Sequence, residues 1–176
     1  MKKFLSLSLI VLLCMGMLTG CGGGGTANNG DNATAIKVGG TGPLTGGAAI
    51  YGIAVKQAAE MAVEEVNAKG GLQFELKYED DANDAEKAVN AFNNLIDWGM
   101  QISLGSVTST PGTATSDLSQ ENKIFTITPS GSSTKVIEGK DNVFQMCFTD
   151  PNQGTASAQY ISEQNLATKI AVIYKN

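Results

Sequence analysis

From residue 36 onward, short apolar runs alternate with longer stretches whose apolar residues recur at spacings of three and four. "AIKVGGT" predicts a first strand. After it, Tyr51, Ala54, Ala58, Met61, Ala62 and Val66 form the apolar stripe of a long helix that Gly70 and Gly71 end. At about 1.5 Å per residue, such a helix runs on the order of 30 Å, the depth of a domain. "FELKYED" alternates Phe74, Leu76 and Tyr78 with Glu75, Lys77 and Glu79, the period of a strand. Asn83, with Glu86 three positions on, makes a capping-box variant that opens a second helix. Its stripe is Ala85, Ala88, Val89, Phe92, Leu95 and Ile96, and Gly99 ends it. "MQISLG" predicts a third strand, "TATSDLSQENK" a short helix, "KIFTIT" a fourth strand and "NVFQMCF" a fifth. "NQGTASAQYISEQN" predicts a last helix and "KIAVIYKN" a sixth strand. This alternation predicts an α/β fold, a parallel sheet wrapped by helices.

The beginning of the chain departs from the pattern. Residues 1–20, "MKKFLSLSLIVLLCMGMLTG", place two lysines before an apolar run and then small residues. That is a secretory signal pattern, too short for a comfortable membrane span. "LTGC", Leu18 to Cys21, resembles the lipobox of bacterial lipoproteins, in which the cysteine thiol takes a diacylglyceryl group. Cys21 is therefore the expected lipidation site and membrane anchor. Residues 21–35 hold four consecutive glycines and no apolar residue larger than Ala after Cys21, so they predict a flexible tether. Cys14 lies in the discarded segment and Cys21 is acylated, which leaves Cys147 alone and no disulfide in the mature chain. Its apolar neighbours in "NVFQMCFT" predict a buried packing residue in mid-strand.

Composition narrows the function. A chain of 176 residues suits one domain of ordinary size. The net charge of −5 becomes −7 without Lys2 and Lys3, and there is no Arg, which argues against nucleic acid as a partner. There is no His, the commonest general base and metal ligand. "GGTGPLTGG" gives only G-x-G-x-x-x-G, broken by Pro43, with the nearest strand-end acid about forty residues on rather than the roughly twenty of a dinucleotide site. A binding protein without cofactor is expected, not an enzyme.

Three strand ends carry candidate chemistry: "TGPLTGG", "SVTSTPG" and "TPSGSS". Each is rich in Gly, Ser and Thr, and none holds a charged side chain. In a parallel sheet all three leave from the same edge, where open parallel sheets bind their ligands. Hydroxyls, free backbone amides and helix N-termini suit a small carboxylate or another compact polar group. Each hydrogen bond to a charged acceptor contributes roughly 1.5–3 kcal/mol, and a helix end adds about 0.3–1 kcal/mol. Tyr51 reads either as an aromatic wall beside a ligand or as part of a packed helix face, and Trp98 as packing. Glu79, Asp80, Asp81 and Asp84 lack the spacing of a calcium loop; carboxylates favouring a helix N-terminus account for them, and no metal is expected.

Several motifs in order carry a resemblance: "IKVGGTGPLTGGAAIYG", "EEVNAKGG", "YEDDAND", "LGSVTSTPGT", "FTITPSGSS" and "FTDPNQG". Together they resemble the substrate-binding lipoproteins of branched-chain amino acid ABC transporters. The resemblance implies a type I periplasmic-binding-protein fold, with a Rossmann-like parallel sheet forming ligand-binding lobe one over residues 36–149. Residues 150–176 would then be the first helix and strand of a truncated lobe two. It further implies that Ser109, Ser130 and Ser132 hold the ligand's carboxylate and ammonium, with Tyr51 as the aromatic wall and Thr45 in the first loop. Thr108 stands where some relatives have Cys, so their small disulfide near the site is missing. The implied function is extracytoplasmic capture of a branched-chain or similar amino acid by a lipid-anchored monomer that delivers it to an ABC permease. The same scaffold resembles binders of amides and urea, which leaves a transport or sensor protein for those solutes as the alternative. A fragment with half a cleft is expected to bind its ligand feebly or not at all.

Overall fold

The computed structural model of the protein describes residues 35–173. The expected signal segment, Cys21 and nearly all of the expected tether lie outside the described residues. Five strands form one parallel sheet: β1 (Ile36–Gly42), β2 (Phe74–Asp80), β3 (Ile102–Ser106), β4 (Phe125–Thr128) and β5 (Val143–Gln145). The helices between them are α1 (Ala49–Ala68), α2 (Ala85–Trp98) and α3 (Ser109–Glu121), with a 3-10 turn at Thr134–Val136, and α4 (Asp150–Glu163) follows β5. The strand order is β2-β1-β3-β4-β5. The chain winds one way from β1 to β2 and the other way from β3 onward, so a topological switch point lies between β1 and β3.

The sheet is packed differently on its two faces. On one, Phe92, Leu95 and Met100 form the core, with Ile96, Trp98, Leu118 and Ile124 against them. Trp98 packs there as expected, and the Lys37 ammonium lies 5.0 Å from its ring centroid. Under α3 the buried layer is hydroxylic: Thr115, Ser116 and Ser119 from the helix meet Ser103, Ser106, Thr126 and Thr128 from the strands. These groups are paired with one another or with backbone. Thr126 donates to Ser119 Oγ at 3.0 Å, Thr128 to the Ser106 carbonyl at 2.7 Å, and the Thr41 and Ser106 hydroxyls share a bond of 2.6 Å. Buried polar groups are tolerated at this density only when paired in this way.

On the other face, period two turns the large residues outward. Phe125 and Phe144 stack with ring centroids 5.4 Å apart, yet each remains nearly half exposed. α1 lies over β1 and β2 on this side and borders Ile102 and Leu104 of β3, which leaves Phe125 of β4 and Phe144 of β5 uncovered. Its packed ridge is Gly52, Val55, Ala59 and Val63, not the stripe through Tyr51, Ala54, Ala58, Met61, Ala62 and Val66, all of which are exposed. The helix is apolar on several sides, so periodicity alone selected the wrong one.

Other expectations shift in detail. The cap of α2 is Asp84, whose side chain accepts from Lys87 N at 2.9 Å, while Asn83 precedes it with φ of 60°. α3 begins at Ser109, four residues before its apolar pattern, because Pro111 falls in the first turn, where a missing N–H costs nothing. β5 ends at Gln145, so Cys147 is half-buried beyond the strand and not a buried mid-strand residue. Lys169–Ile173 form no strand, since no strand among the described residues lies beside them to supply a ladder. No helix among the described residues is long and apolar enough to cross a membrane.

Candidate functional site

At the carboxyl edge of the sheet the loops after β1, β3 and β4 come together around the switch point. Strand β3 enters this edge through an extra residue: Val38 and Gly39 pair with Ile102 and Ser103, but Thr41 pairs with Ser106. Gly105 takes up the bulge at φ of 63°, and a Cβ there would lie 3.1 Å from Thr128 Cα, so both backbone angle and space require glycine. Beyond the bulge, Val107 N donates to the Thr41 carbonyl at 3.2 Å, and the β3 loop is held against the end of β1.

The loops after β3 and β4 are knitted together by two of the predicted serines. Ser130 Oγ donates to the Val107 carbonyl at 2.5 Å. Ser109 Oγ, on the first residue of α3, accepts from Ser133 N at 3.2 Å. These bonds leave the hydroxyls in different states. Ser130 has spent its proton, whereas Ser109, at the positive end of α3, accepts here and keeps its own. Ser132 accepts Asp150 N through its carbonyl at 3.0 Å, and its hydroxyl has no hydrogen-bond partner among the described residues. Gln145, at the end of β5, braces the same loop by donating to the carbonyls of Gly131 and Ser133 at 2.5 and 2.8 Å. A hollow of about 490 Å³ lies against Ser109, lined also by Thr110, Thr113, Ser133 and Lys135.

Thr45 and Tyr51 lie on the other side of the switch point. Thr45 donates its hydroxyl proton to Asp80 Oδ2 at 2.6 Å, so toward a ligand it offers lone pairs only. Tyr51 projects from the first turn of α1 and is 64% exposed, away from any packed face. The first loop rests on α1 at Gly52, where a Cβ would lie 2.0 Å from the Pro43 carbonyl oxygen.

The acidic residues have separate tasks. Asp84 caps α2. Asp80 accepts from Leu44 N at 2.7 Å and Ala82 N at 2.8 Å as well as from Thr45. Burial by itself would raise its carboxyl above 3.8, but these hydrogen bonds outweigh it and hold the group below that value. Asp81 is wholly buried, with Oδ1 accepting from Asn83 N at 2.9 Å and Oδ2 unpartnered. Burial first, and the charges of Asp80 and Asp84 after it, raise its carboxyl above the ordinary range against the pull of the Asn83 amide. Tyr78 donates to the Thr41 carbonyl at 3.0 Å, and burial followed by the Asp81 charge raises its hydroxyl well above 10.0. No group of three His, Cys, Asp or Glu placed to hold a metal ion occurs among the described residues. In the sequence Asp80 reads only as one of an acidic group favouring a helix N-terminus, and Ser133 and Gln145 are not singled out. The place of the first could have been found by pairing β1 with β2 in register, which sets Asp80 beside Gly42 at the mouth of the first loop.

The periplasmic binding protein family profile matches residues 35–176. The chain is 35% identical over 143 residues to Leu/Ile/Val-binding protein homolog 3 of Brucella melitensis, covering 79% of this chain and 39% of that protein. It is 33% identical to the Leu/Ile/Val-binding protein BraC3 of Rhizobium johnstonii, with coverages of 78% and 39%. The fold superposes on the branched-chain amino acid transporter substrate-binding protein of Streptococcus pneumoniae in complex with isoleucine, at a TM-score of 0.69 and 29% identity over 74% of this chain and 38% of that one. A leucine-binding protein of Thermotoga maritima gives a TM-score of 0.68 and 29% identity over 76% and 38%. The chain thus spans about two fifths of the length of the curated relatives it matches. With a parallel sheet of the order observed and its polar loops at the switch point, it belongs to the periplasmic binding protein family and has the type I fold of that family.

Proposed function

We propose that this chain supplies one wall of a ligand cleft in an extracytoplasmic substrate-binding protein of an ABC importer, and that the ligand is a branched-chain or similar amino acid. The observation that carries the reading is the state of the hydroxyls. At an edge whose three loops hold no charged side chain in the quoted motifs, Ser109 and Ser132 retain protons for a carboxylate beside the N-terminus of α3. The relatives named for leucine, isoleucine and valine, and the neighbour holding isoleucine, support an amino acid as that carboxylate. Tyr51, exposed beside the first loop, is the aromatic wall of the cleft, and Thr45 contributes an acceptor. A second lobe closes over the ligand, the closed form is what a permease recognises, and Cys21 carries the lipid anchor.

A thermal-shift screen of the complete polypeptide tests the ligand class, because a ligand bound only by the folded state adds RT ln(1 + [L]/Kd) to stability. Leucine, isoleucine or valine should raise the melting temperature, and Ser109→Ala should weaken binding by about 1.5–3 kcal/mol. A structural neighbour at 26% identity was solved with benzoate, so benzoate belongs in the panel along with urea and acetamide. A shift with any of these three and none with amino acids overturns the reading.

A further inference from the structure

The first loop has one brace that does not belong to it. Its tip, Gly46–Gly47, has nothing within 4 Å of either Cβ position, and the α1 N-cap, Ala48, makes no side-chain cap. The helix entry is closed by a backbone bond from Ala49 N to the Gly46 carbonyl at 3.2 Å, and Pro43 packs on Gly52, but no side chain of the loop itself caps α1 or ties down Leu44 and Thr45. Leu44 and Thr45 are held instead by a side chain from the edge strand. Asp80 Oδ1 accepts from Leu44 N and Oδ2 from Thr45 Oγ1, while Ala82 N bonds to the same Oδ1 and anchors the carboxylate from its own strand. Both oxygens are used, and the acceptor is anionic, the stronger class of hydrogen bond.

We propose that Asp80 is a positioning residue of the ligand site: it clamps the first loop across the β1–β2 pair, and through that loop sets Thr45 and the Tyr51-bearing first turn of α1 against the cleft. The proposal rests on the reading of this edge as a ligand site. Asp80 touches no ligand itself. Its donors are protein groups, and its bond to Thr45 fixes where that hydroxyl stands at the cleft. The hydrogen bonds that hold the carboxyl below 3.8 keep the clamp charged throughout the neutral range.

Hydrogen exchange of individual amides in the complete polypeptide, paired with calorimetry against L-isoleucine, tests the clamp. In Asp80→Ala the Leu44 amide should exchange faster by on the order of tenfold to a hundredfold, with the Leu95 amide in the core unchanged, and affinity should fall by about tenfold. Asp80→Asn should restore most of both, because its carbonyl still accepts from Leu44 N and its amide donates to Thr45 Oγ1. A residue that only stabilised the fold would lower the melting temperature without this paired recovery. If Asp80→Ala does not fold, Asp80→Ser, too short to reach both partners, carries the same expectations. Unchanged Leu44 exchange overturns the clamp. Faster exchange with wild-type affinity overturns its role in binding. Failure of the wild type to bind any amino acid refutes the proposed function instead, and the clamp is then judged on Leu44 exchange alone.

Discussion

Replacing Gly52 by Ala sets two effects of opposite sign against each other. Gly52 lies inside α1, where Ala is preferred over Gly by about 0.8–1.0 kcal/mol, so on a free helix the change stabilises. Here the added Cβ would stand 2.0 Å from the Pro43 carbonyl oxygen, 2.7 Å from its carbon and 2.8 Å from its nitrogen. Against the 3.4 Å at which ordinary contact begins, the worst of these falls short by about 1.4 Å, and every atom is backbone, so no rotamer can relieve it. The first loop must lift or α1 must shift, and overpacking of this kind costs typically 1–3 kcal/mol. The net expectation is a destabilisation of up to about 2 kcal/mol in urea unfolding. Backbone amide shifts across Gly42–Gly47 should change with it. Gly154→Ala in α4 is the control: no atom lies within 4 Å of its Cβ position, so the propensity gain should appear unopposed. A Gly52→Ala protein more stable by about 1 kcal/mol, with the first loop's amides unmoved, would refute the steric reasoning.

Asp81 provides a pH-dependent test. Its folded carboxyl is raised above 3.8, so the ionised form destabilises the fold at neutral pH, and the penalty is relieved as pH falls through the raised value. Asp81→Asn, which removes the charge that burial opposes, should therefore stabilise at pH 7, with the gain disappearing below the ordinary carboxylate value; melting temperatures at both ends of that window are the measurement, and a gain that persists in acid counts against it. For Cys21, each buried methylene of a diacylglyceryl anchor contributes about 0.8 kcal/mol, so Cys21→Ser should move the protein from the membrane to the soluble fraction, and unchanged fractionation removes the anchor from the account.

Where the sequence was easy to read, a residue's neighbours were its own element. The stripe of α2 is clear because Phe92 and Leu95 are large and its opposite face is charged. The strand-end loops were recognisable because glycine and hydroxyl residues clustered where apolar runs stopped. What could not be read depended on partners distant in the chain. In α1 the alanines spread apolar character around the helix, and only the position of Pro43 makes Gly52 the contact point. In α3, Thr115, Ser116 and Ser119 give no apolar signal in the sequence, yet they are buried because the strands opposite present hydroxyls to match them. At the site, composition announced the serines. Which of them retained a proton was decided by Ser133 N and the Val107 carbonyl, groups twenty-three or twenty-four residues away.

The hydroxyl layer beneath α3 bears on how accurately the site can be built. A helix resting on aliphatic side chains can slide by a fraction of an ångström at little cost, because dispersion is non-directional. α3 instead rests on hydrogen bonds such as Thr126 to Ser119 and the bond shared by the Ser106 and Thr115 hydroxyls, while Thr128 to the Ser106 carbonyl ties β4 to the strand that leads into α3. Such bonds weaken steeply once their angles fail. The seam therefore acts as an indexing mechanism: it admits one setting of the helix on the sheet, and with it one position for Ser109 at the helix tip.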